Sequence, residues 1–523
     1  MMKKRISSTA VALSLAVSML AGCGNSDQPV TVKETTQAAG SQSQSSVAED
    51  STTTATASTK DYSSQDPYVV HIVLPGTAKT EDCNEVAELA NKILQPKYNT
   101  TIELVRVGFG TYTQQINLML SSGEKLDMYY SNRDNFASSV SNGQIDEIGQ
   151  YLDEYAPEMK AQISKSDWAC TSVGDGVYAV PANKEKAVGW GFTMPKDQAD
   201  QLGIDYTNID TEDELEPLLK AAKEKFPGEY PVISNGGTMN TMTTSDDLGG
   251  DFGVLQDCTN QSDTKVVDWY ETDEYKEIVE RRYKWSKEGL IMPDAASNTE
   301  PWATMISSKK GFGRFCNVKP GIEAEHEKST GMPMVVLPMT KNYTTTTRLD
   351  IIWCVAHNSE KPERTVQVMN EIYTNPELQN ILVNGVEGKH YEYANASKTI
   401  VRYPSGVDGS NTTYPSYPWA WLNEMITPVW EGSEETLWKE TDAYNKEAIE
   451  SPAKGFEWDN SNVLNEVTAC NNVRNKYANA LECGSVDPSV ALPKFIKELK
   501  DAGVDSIITE KQTQLDKWLA DNK

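Results

Sequence analysis

The sequence predicts an α/β fold in two domains that ends in a helical C-terminal region. Three observations carry this. Short apolar strands alternate with amphipathic helices from Tyr68 to Tyr373, the pattern of a parallel sheet with helices on both faces. Residues 67–523 are too many for one hydrophobic core, and 38% hydrophobic content with 12 Trp can fill more than one. Roughly the last hundred residues carry helical spacing.

The elements are taken in chain order. Lys3, Lys4 and Arg5 precede an apolar run, Thr9 to Leu20, that is too short to span a bilayer comfortably. Leu20-Ala21-Gly22-Cys23 then looks like a bacterial lipobox: small residues fit a narrow peptidase site, and the thiol that follows is a group a lipid can alkylate. The resemblance implies a lipoprotein signal peptide over residues 1–22. It also implies that Cys23 becomes the acylated (palmitate-type) first residue of an exported chain, held on the outer face of the cytoplasmic membrane. Residues 24–66 are Ser, Thr, Gln, Ala and Asp with almost no large apolar side chain, so they cannot offset their ordering entropy and read as a disordered tether. As a coil they would span roughly 35–40 Å.

Tyr68 to Leu74 is a strand stopped by Pro75-Gly76. Val86, Leu89, Ala90 and Ile93 set a helix over Asp82–Leu94. Thr101–Val107 is a strand, Tyr112–Leu120 a helix, and Leu126–Tyr130 a strand. Ligands of open α/β sheets bind at the C-terminal ends of such strands. Here those ends are Pro75-Gly76-Thr77, Gly108-Phe109-Gly110 and Ser131-Asn132-Arg133-Asp134. Tyr178–Pro181 is a further short strand before polar Ala182–Glu185 and Gly189-Trp190-Gly191-Phe192. Glu212–Phe226 is an amphipathic helix. Strands end at Pro231–Ser234 and run over Lys310–Phe315, Met334–Pro338 and Asp350–Ala356. A helix capped near Ser359 follows from Pro362 to Tyr373. In the last helix Ile507, Ile508, Leu515, Trp518 and Leu519 share roughly one face, a packing stripe.

A net charge of −28 repels phosphates and argues against nucleic acid as a partner. The seven cysteines after Cys23 are scattered without a CxxC, and an odd number cannot pair completely, so isolated buried thiols are expected. Four His without metal-ligand spacing give no reason to expect a metal, and no cofactor is expected.

The order of these elements resembles the family 1 extracellular solute-binding proteins of ABC importers, the group that includes maltose-binding protein. Ser121-Ser122-Gly123-Glu124-Lys125-Leu126-Asp127 is similar to that family's entry into its third strand. Tyr178–Pro181 resembles the first crossing between lobes, Met332–Pro338 the return crossing, and Asn358–Glu363 the short polar turn before a helix. Asn384–Tyr391, and the tail from Gly455-Phe456 to Trp518, resemble LplA-type lipoproteins. The glycine-rich stretch Asn235–Gly253 has no counterpart in the pattern.

The resemblance implies a two-lobed periplasmic-binding-protein-like fold of type II, with the ligand cleft between the lobes. One lobe would be 67–181 plus 339–415, and the other 182–338 plus 416–523 with the helical region. It implies a monomer that closes on its ligand by hinge motion and presents the closed form to a permease.

A sugar offers apolar C–H faces and a rim of hydroxyls, so aromatic faces beside amide, carboxylate and cationic side chains are the pattern sought. Candidates at the end of the third strand are Tyr130, Asn132, Arg133 and Asp134, where Asn132 or Asp134 could instead cap a helix. The first crossing offers Asn183, Lys184 and Glu185, which could equally be a solvated hinge. Trp190 could be core, and Arg314 and Asn317 in the second lobe could form a structural ion pair. The densest aromatic cluster is Tyr417-Pro418-Trp419-Ala420-Trp421, followed by Asn423 and Glu424; one of Trp419 and Trp421 is expected to face the cleft and the other to pack. Trp353 is expected in the core, and Glu387 and Tyr391 could be turn-builders.

The function expected is capture of a carbohydrate, an oligosaccharide by preference, for an ABC permease. A peptide or other polar solute, or a sensor on the same fold, stays open as an alternative. Catalysis is disfavoured. A glycosidase needs two carboxylates set across a bond, for which Asp246, Asp247, Asp251 and Glu424 are available, but acids are abundant here and GxSxG and HExxH are absent.

Overall fold

The computed structural model describes residues 61–522 apart from 134, 135 and 251. The signal segment 1–22, Cys23 and the tether as far as Lys60 lie outside the described residues. Inside the stretch expected as tether, Tyr62 is seated on the first lobe: it donates to the Glu154 carbonyl at 2.8 Å, and its ring lies 5.8 Å from that of Tyr155.

The first lobe is built on a five-stranded sheet in the order Thr100–Val107, Tyr68–Pro75, Met128–Ser131, Ile352–Val355, Ala179–Pro181. The strand from Tyr68 is buried on both sides. Val70, Ile72 and Leu74 join a core with the helices Thr80–Tyr98 and Pro362–Thr374, while Val73 joins Tyr112, Ile116 and Leu120 of the helix Tyr112–Ser122. Near-continuous hydrophobicity is what a strand covered on both faces requires. The sheet is mixed, not parallel throughout as expected, because Ile352–Val355 runs antiparallel to both neighbours. It re-enters from the second lobe, so its first residues lie where the other strands end.

The second sheet has the order Met334–Pro338, Gly189–Pro195, Gly311–Val318, Tyr230–Val232. Gly189–Pro195 was not expected as a strand, since its glycines mask the apolar alternation. They mark close approach: a Cβ on Gly191 would run into the Leu337 carbonyl oxygen and the Val318 side chain of the two neighbouring strands.

The chain passes between the sheets over 182–188 and 339–351. Tyr178–Pro181 and Met332–Pro338, expected to be the crossings, mostly lie in or beside the sheets themselves, and the crossings follow them. The two crossings pair with each other: the Val188 and Tyr343 amides each donate to the other's carbonyl at 2.9 Å. Asn445, on the helix Leu437–Glu447, accepts from the Lys186 and Ala187 amides at 2.8 and 3.1 Å.

A third core joins Leu248, Leu255, Tyr275 and Val279 to the C-terminal helices Leu464–Glu482, Pro488–Asp501 and Val504–Asn522. It accounts for the stretch Asn235–Gly253. The buried Lys511 ammonium donates to the carbonyls of Asp247, Gly250 and Gly253 at 3.2, 2.5 and 3.1 Å. Gly249, Gly250 and Gly253, with φ of +92°, +95° and +87°, turn the chain around it.

Other expectations are corrected or met. Ser359 caps no helix; its hydroxyl donates to Asp127 at 2.6 Å, and Lys361 stands at the cap position without a side-chain bond. Tyr414, Trp421 and Leu422 belong to the core of the first sheet, so the chain leaves that core after residue 422, not at 415. Trp353 is fully buried, as expected, and Cys83, Cys170, Cys258, Cys316, Cys354, Cys470 and Cys483 are buried free thiols.

Candidate ligand cavity at the lobe crossings

A cavity of about 530 Å³ opens where the crossings leave the first sheet. Its floor is carried by three segments: Lys184 and Glu185 on the first crossing, Asp350 and Ile351 on the return, and Glu424 on the short turn after Asn423. Two asparagines hold these together. Asn183 donates its side-chain amide to Asn423 at 3.0 Å and its backbone amide to the Leu422 carbonyl at 2.8 Å, and the Glu424 amide donates back to the Asn183 carbonyl at 3.0 Å. Asn423 is itself tied to the first lobe, donating to the Tyr373 carbonyl at 2.8 Å. The walls are Tyr130 and Trp419 from the first lobe, Lys319, Pro320 and Glu325 from the second, and Trp430 and Trp438 from the segment after Glu424.

Trp419 is half-buried and sits at the centre of an aromatic group. Its ring lies 6.2 Å from that of Phe109 at an interplanar angle of 22°, 6.1 Å from Tyr417 and 6.5 Å from Tyr130. Tyr130 and Trp419 also line a smaller cavity of about 190 Å³ with Phe109, Tyr112, Ile116 and Asn132. These are the strand ends named from the sequence.

The floor is a network of opposite charges. Lys184 Nζ stands 3.1 Å from Asp350 and 3.6 Å from Glu185, and Lys319 Nζ stands 2.8 Å from Glu325. Burial would lower the Lys184 ammonium, but Glu185 and then Asp350 outweigh it and raise its pKa. Glu185 and Glu424 are in hydrogen-bond contact and move apart. Burial and then the charge of Glu185 push Glu424 well above the ordinary carboxylate range. Burial would raise Glu185 too, yet Lys184 and then Lys319 bring it below that range. The pair therefore shares its charge unequally, with the proton favoured on Glu424 and the negative charge on Glu185.

Of the candidates, Tyr130, Lys184, Glu185, Trp419 and Glu424 meet in this cavity, Asn132 lines the smaller one, and Asn183 positions the floor from behind. Asp134 lies outside the described residues. The others stand elsewhere. Arg133 is ion-paired with Glu457 and donates to the Cys170 carbonyl, bracing the first lobe against the C-terminal region. Trp421 is 0% exposed and stacks on Trp353 at 5.4 Å. Arg314 is buried over the Trp302 ring beside His326. Asn317 pairs in register with Trp190, outside the cavity lining. Trp190 lines a separate polar cavity of about 320 Å³ with Tyr343 and Arg348, and donates its indole N–H to Tyr343 at 3.1 Å. Glu387 and Tyr391 close a turn, in which Gly388 donates to the Tyr391 carbonyl at 2.7 Å, and border a cavity of about 880 Å³.

Sequence reasoning missed Lys319, Glu325, Asp350, Trp430 and Trp438. Lys319 follows the last residue of a strand, so the strand-end rule could have found it; Asp350 stands before the start of a strand that runs antiparallel to its neighbours, which the rule does not cover. Nothing in the spacing marks the two tryptophans.

Two sheets joined by paired crossings, with an aromatic-walled cavity where the crossings meet, define a two-lobed ligand-binding protein. The chain belongs to the bacterial extracellular solute-binding protein family, which matches residues 88–389. A domain of unknown function matches residues 452–520, the region of the third core. The chain is similar to a carbohydrate ABC transporter substrate-binding protein of Streptococcus pneumoniae serotype 4, 26% identical over 85% of this chain and 90% of that protein. It superposes on the crystal structure of the N-glycan transport solute binding protein of Streptococcus pneumoniae with a TM-score of 0.77, at 25% identity over 87% of this chain and all of that one. Against the same protein in complex with Man5GlcNAc the TM-score is 0.63, at 25% identity over 87% and 99% of the two chains.

Proposed function

We propose that this chain captures an oligosaccharide in the cavity at its crossings and delivers it to an ABC permease. The observation that carries this is the composition of the cavity. Aromatic faces at Tyr130, Trp419, Trp430 and Trp438 stand over a floor of ammonium and carboxyl groups, so pyranose faces can stack while hydroxyls meet donors and acceptors. The likeness to carbohydrate importers supports the same reading. The lobes are those built on the two sheets. Ligand contacts come from both of them and from the crossings, so binding favours closure. The lower TM-score against the Man5GlcNAc complex than against the 0.77 structure accords with such a rearrangement.

Binding without turnover is the reading of the acids as well. Glu185 and Glu424 are in hydrogen-bond contact, too close to flank a glycosidic bond, whose two carboxyls stand roughly 5 Å or more apart. Asp246 is buried and accepts from Ser451 at 2.5 Å, and Asp247 accepts from Thr347 at 3.0 Å.

The test is thermal unfolding of the protein against neutral oligosaccharides, among them Man5GlcNAc, with peptides alongside. A hundredfold excess over the dissociation constant adds about 2.7 kcal/mol of stability. A shift with a glycan that is recovered intact is the expected result; shifts with peptides alone would replace the ligand class. Leu20–Cys23 supplies the lipid anchor in this reading, with the chain monomeric on the outer membrane face. Cys23→Ala releases the protein from the membrane fraction, and continued membrane association would refute the anchor.

A further inference from the structure

We propose that the charge network of the crossing cavity selects neutral oligosaccharides and rejects acidic ones, with Asp350 and Glu325 as the residues that set this preference. The inference rests on the carbohydrate reading above and narrows its substrate class.

Recognition of a carboxylate, sulfate or phosphate on a sugar is strongest where a cation is free to face it. The cavity lining has two, Lys184 and Lys319, and both are engaged. Lys184 bridges Asp350 and Glu185 at 3.1 and 3.6 Å, and Lys319 holds Glu325 at 2.8 Å. The side chain of Lys184 is only 11% exposed, which leaves its ammonium little room to turn toward a ligand. Carboxyl groups outnumber the ammoniums in the lining, four against two. An anionic sugar entering here would break an ion pair and then face surplus negative charge at short range. A neutral sugar incurs neither cost: the carboxylates accept its hydroxyls, and the aromatic walls take its C–H faces.

Asp350 and Glu325 are the informative pair. Each neutralises one lysine from the rim, with side chains 55% and 56% exposed, so changing them does not bury an unpaired charge. The Asp350→Asn, Glu325→Gln double variant keeps size and hydrogen bonding while taking the nearest carboxylate from each ammonium, so that Lys184 keeps only Glu185 at 3.6 Å.

The experiment is titration calorimetry on matched pairs: Man5GlcNAc and its 6-phosphomannosyl form, and neutral milk oligosaccharides with their sialylated forms. Wild-type protein should bind the neutral member of a pair at least tenfold more tightly than the acidic one. In the double variant, shown to keep a cooperative melting transition, that ratio should fall at least fivefold. Equal or tighter binding of the acidic member by wild-type protein overturns the proposal while leaving the carbohydrate reading intact. A ratio that does not move in the folded variant overturns the role of Asp350 and Glu325. No binding of any neutral or acidic glycan, with a shift from peptides, sinks the carbohydrate reading and this inference with it.

Discussion

Trp419 and Trp421 are two residues apart and should behave as opposites. Trp421 is 0% exposed, stacked on Trp353 at 5.4 Å and 21°, in the core under the first sheet. A buried tryptophan removes on the order of 150–250 Å² from water, worth about 4–6 kcal/mol at 25 cal/mol/Å². Against that, its indole N–H is buried with no hydrogen-bond partner, a cost of about 1–3 kcal/mol that alanine would relieve. The balance centres Trp421→Ala on about 3 kcal/mol of lost stability, the lower end of the usual range for Trp→Ala in cores. For a cooperative unit of roughly 200 residues that lowers the midpoint by about 6–12 °C. Trp421→Phe, which keeps an aromatic ring and removes the orphaned N–H, should cost much less.

Trp419 is half-buried with a face toward two cavities. Trp419→Ala should leave the midpoint within a few degrees and weaken oligosaccharide binding by about ten- to a hundredfold, the loss of one stacked sugar face at roughly 1.5–3 kcal/mol. Differential scanning calorimetry with and without glycan, plus titration calorimetry, separates the two. A Trp421→Ala protein that melts like wild type, or a Trp419→Ala protein with unchanged affinity for a glycan that wild type binds, would refute the assignment of core and cavity.

Three more outcomes follow from the same geometry. Glu424, raised above its unfolded pKa by burial and then by Glu185, binds its proton more tightly folded than unfolded, so it withdraws stability as pH climbs from the ordinary carboxylate range toward its raised value. Glu424→Gln, permanently neutral and still able to donate to Glu185, should lose less stability as pH rises above the ordinary carboxylate range; equal slopes in denaturant titrations would refute the raised pKa. Lys511→Met should cost about 2–4 kcal/mol, because three carbonyls lose their shared donor and the glycine turns lose their centre; denaturant midpoints check it, and no loss would show that the loop holds itself. Arg133→Ala strands Glu457 and should cost about 3–5 kcal/mol while leaving glycan affinity within about threefold. A large affinity loss at unchanged stability would return Arg133 to the ligand site.

The sheets were legible because strand and helix periods differ, and the runs at Tyr68, Thr101 and Ile351 are long enough to show them. Gly189–Pro195 was hidden because close approach to Leu337 and Val318 on its neighbouring strands demands glycine, which erases the period. Among site residues found from sequence, Tyr130 sits at a strand end and Lys184 and Glu185 on the first crossing, where chain position alone restricts what they can face, while Trp419 and Glu424 stood out only as a dense aromatic cluster with an acid behind it. Arg133 and Trp421 have the right chemistry in the right neighbourhood but turn the other way. Their direction depends on Glu457 and Trp353, residues 324 and 68 positions away, and a single sequence carries no record of that contact.

The floor of the cavity shows why closure and charge belong together. Lys184 and Glu185 ride on the first crossing, Asp350 on the return, and Lys319 and Glu325 on the second lobe. A change in lobe angle must alter the distance between Glu185 and Lys319, two groups whose attraction spans the hinge and helps keep Glu185 ionised. A neutral ligand that fills the gap leaves this attraction in place and displaces water from around it, which strengthens it as the effective dielectric falls. An anion would compete for the same lysine. The network that makes the cavity unwelcoming to acidic sugars is therefore also placed to reward closure on neutral ones.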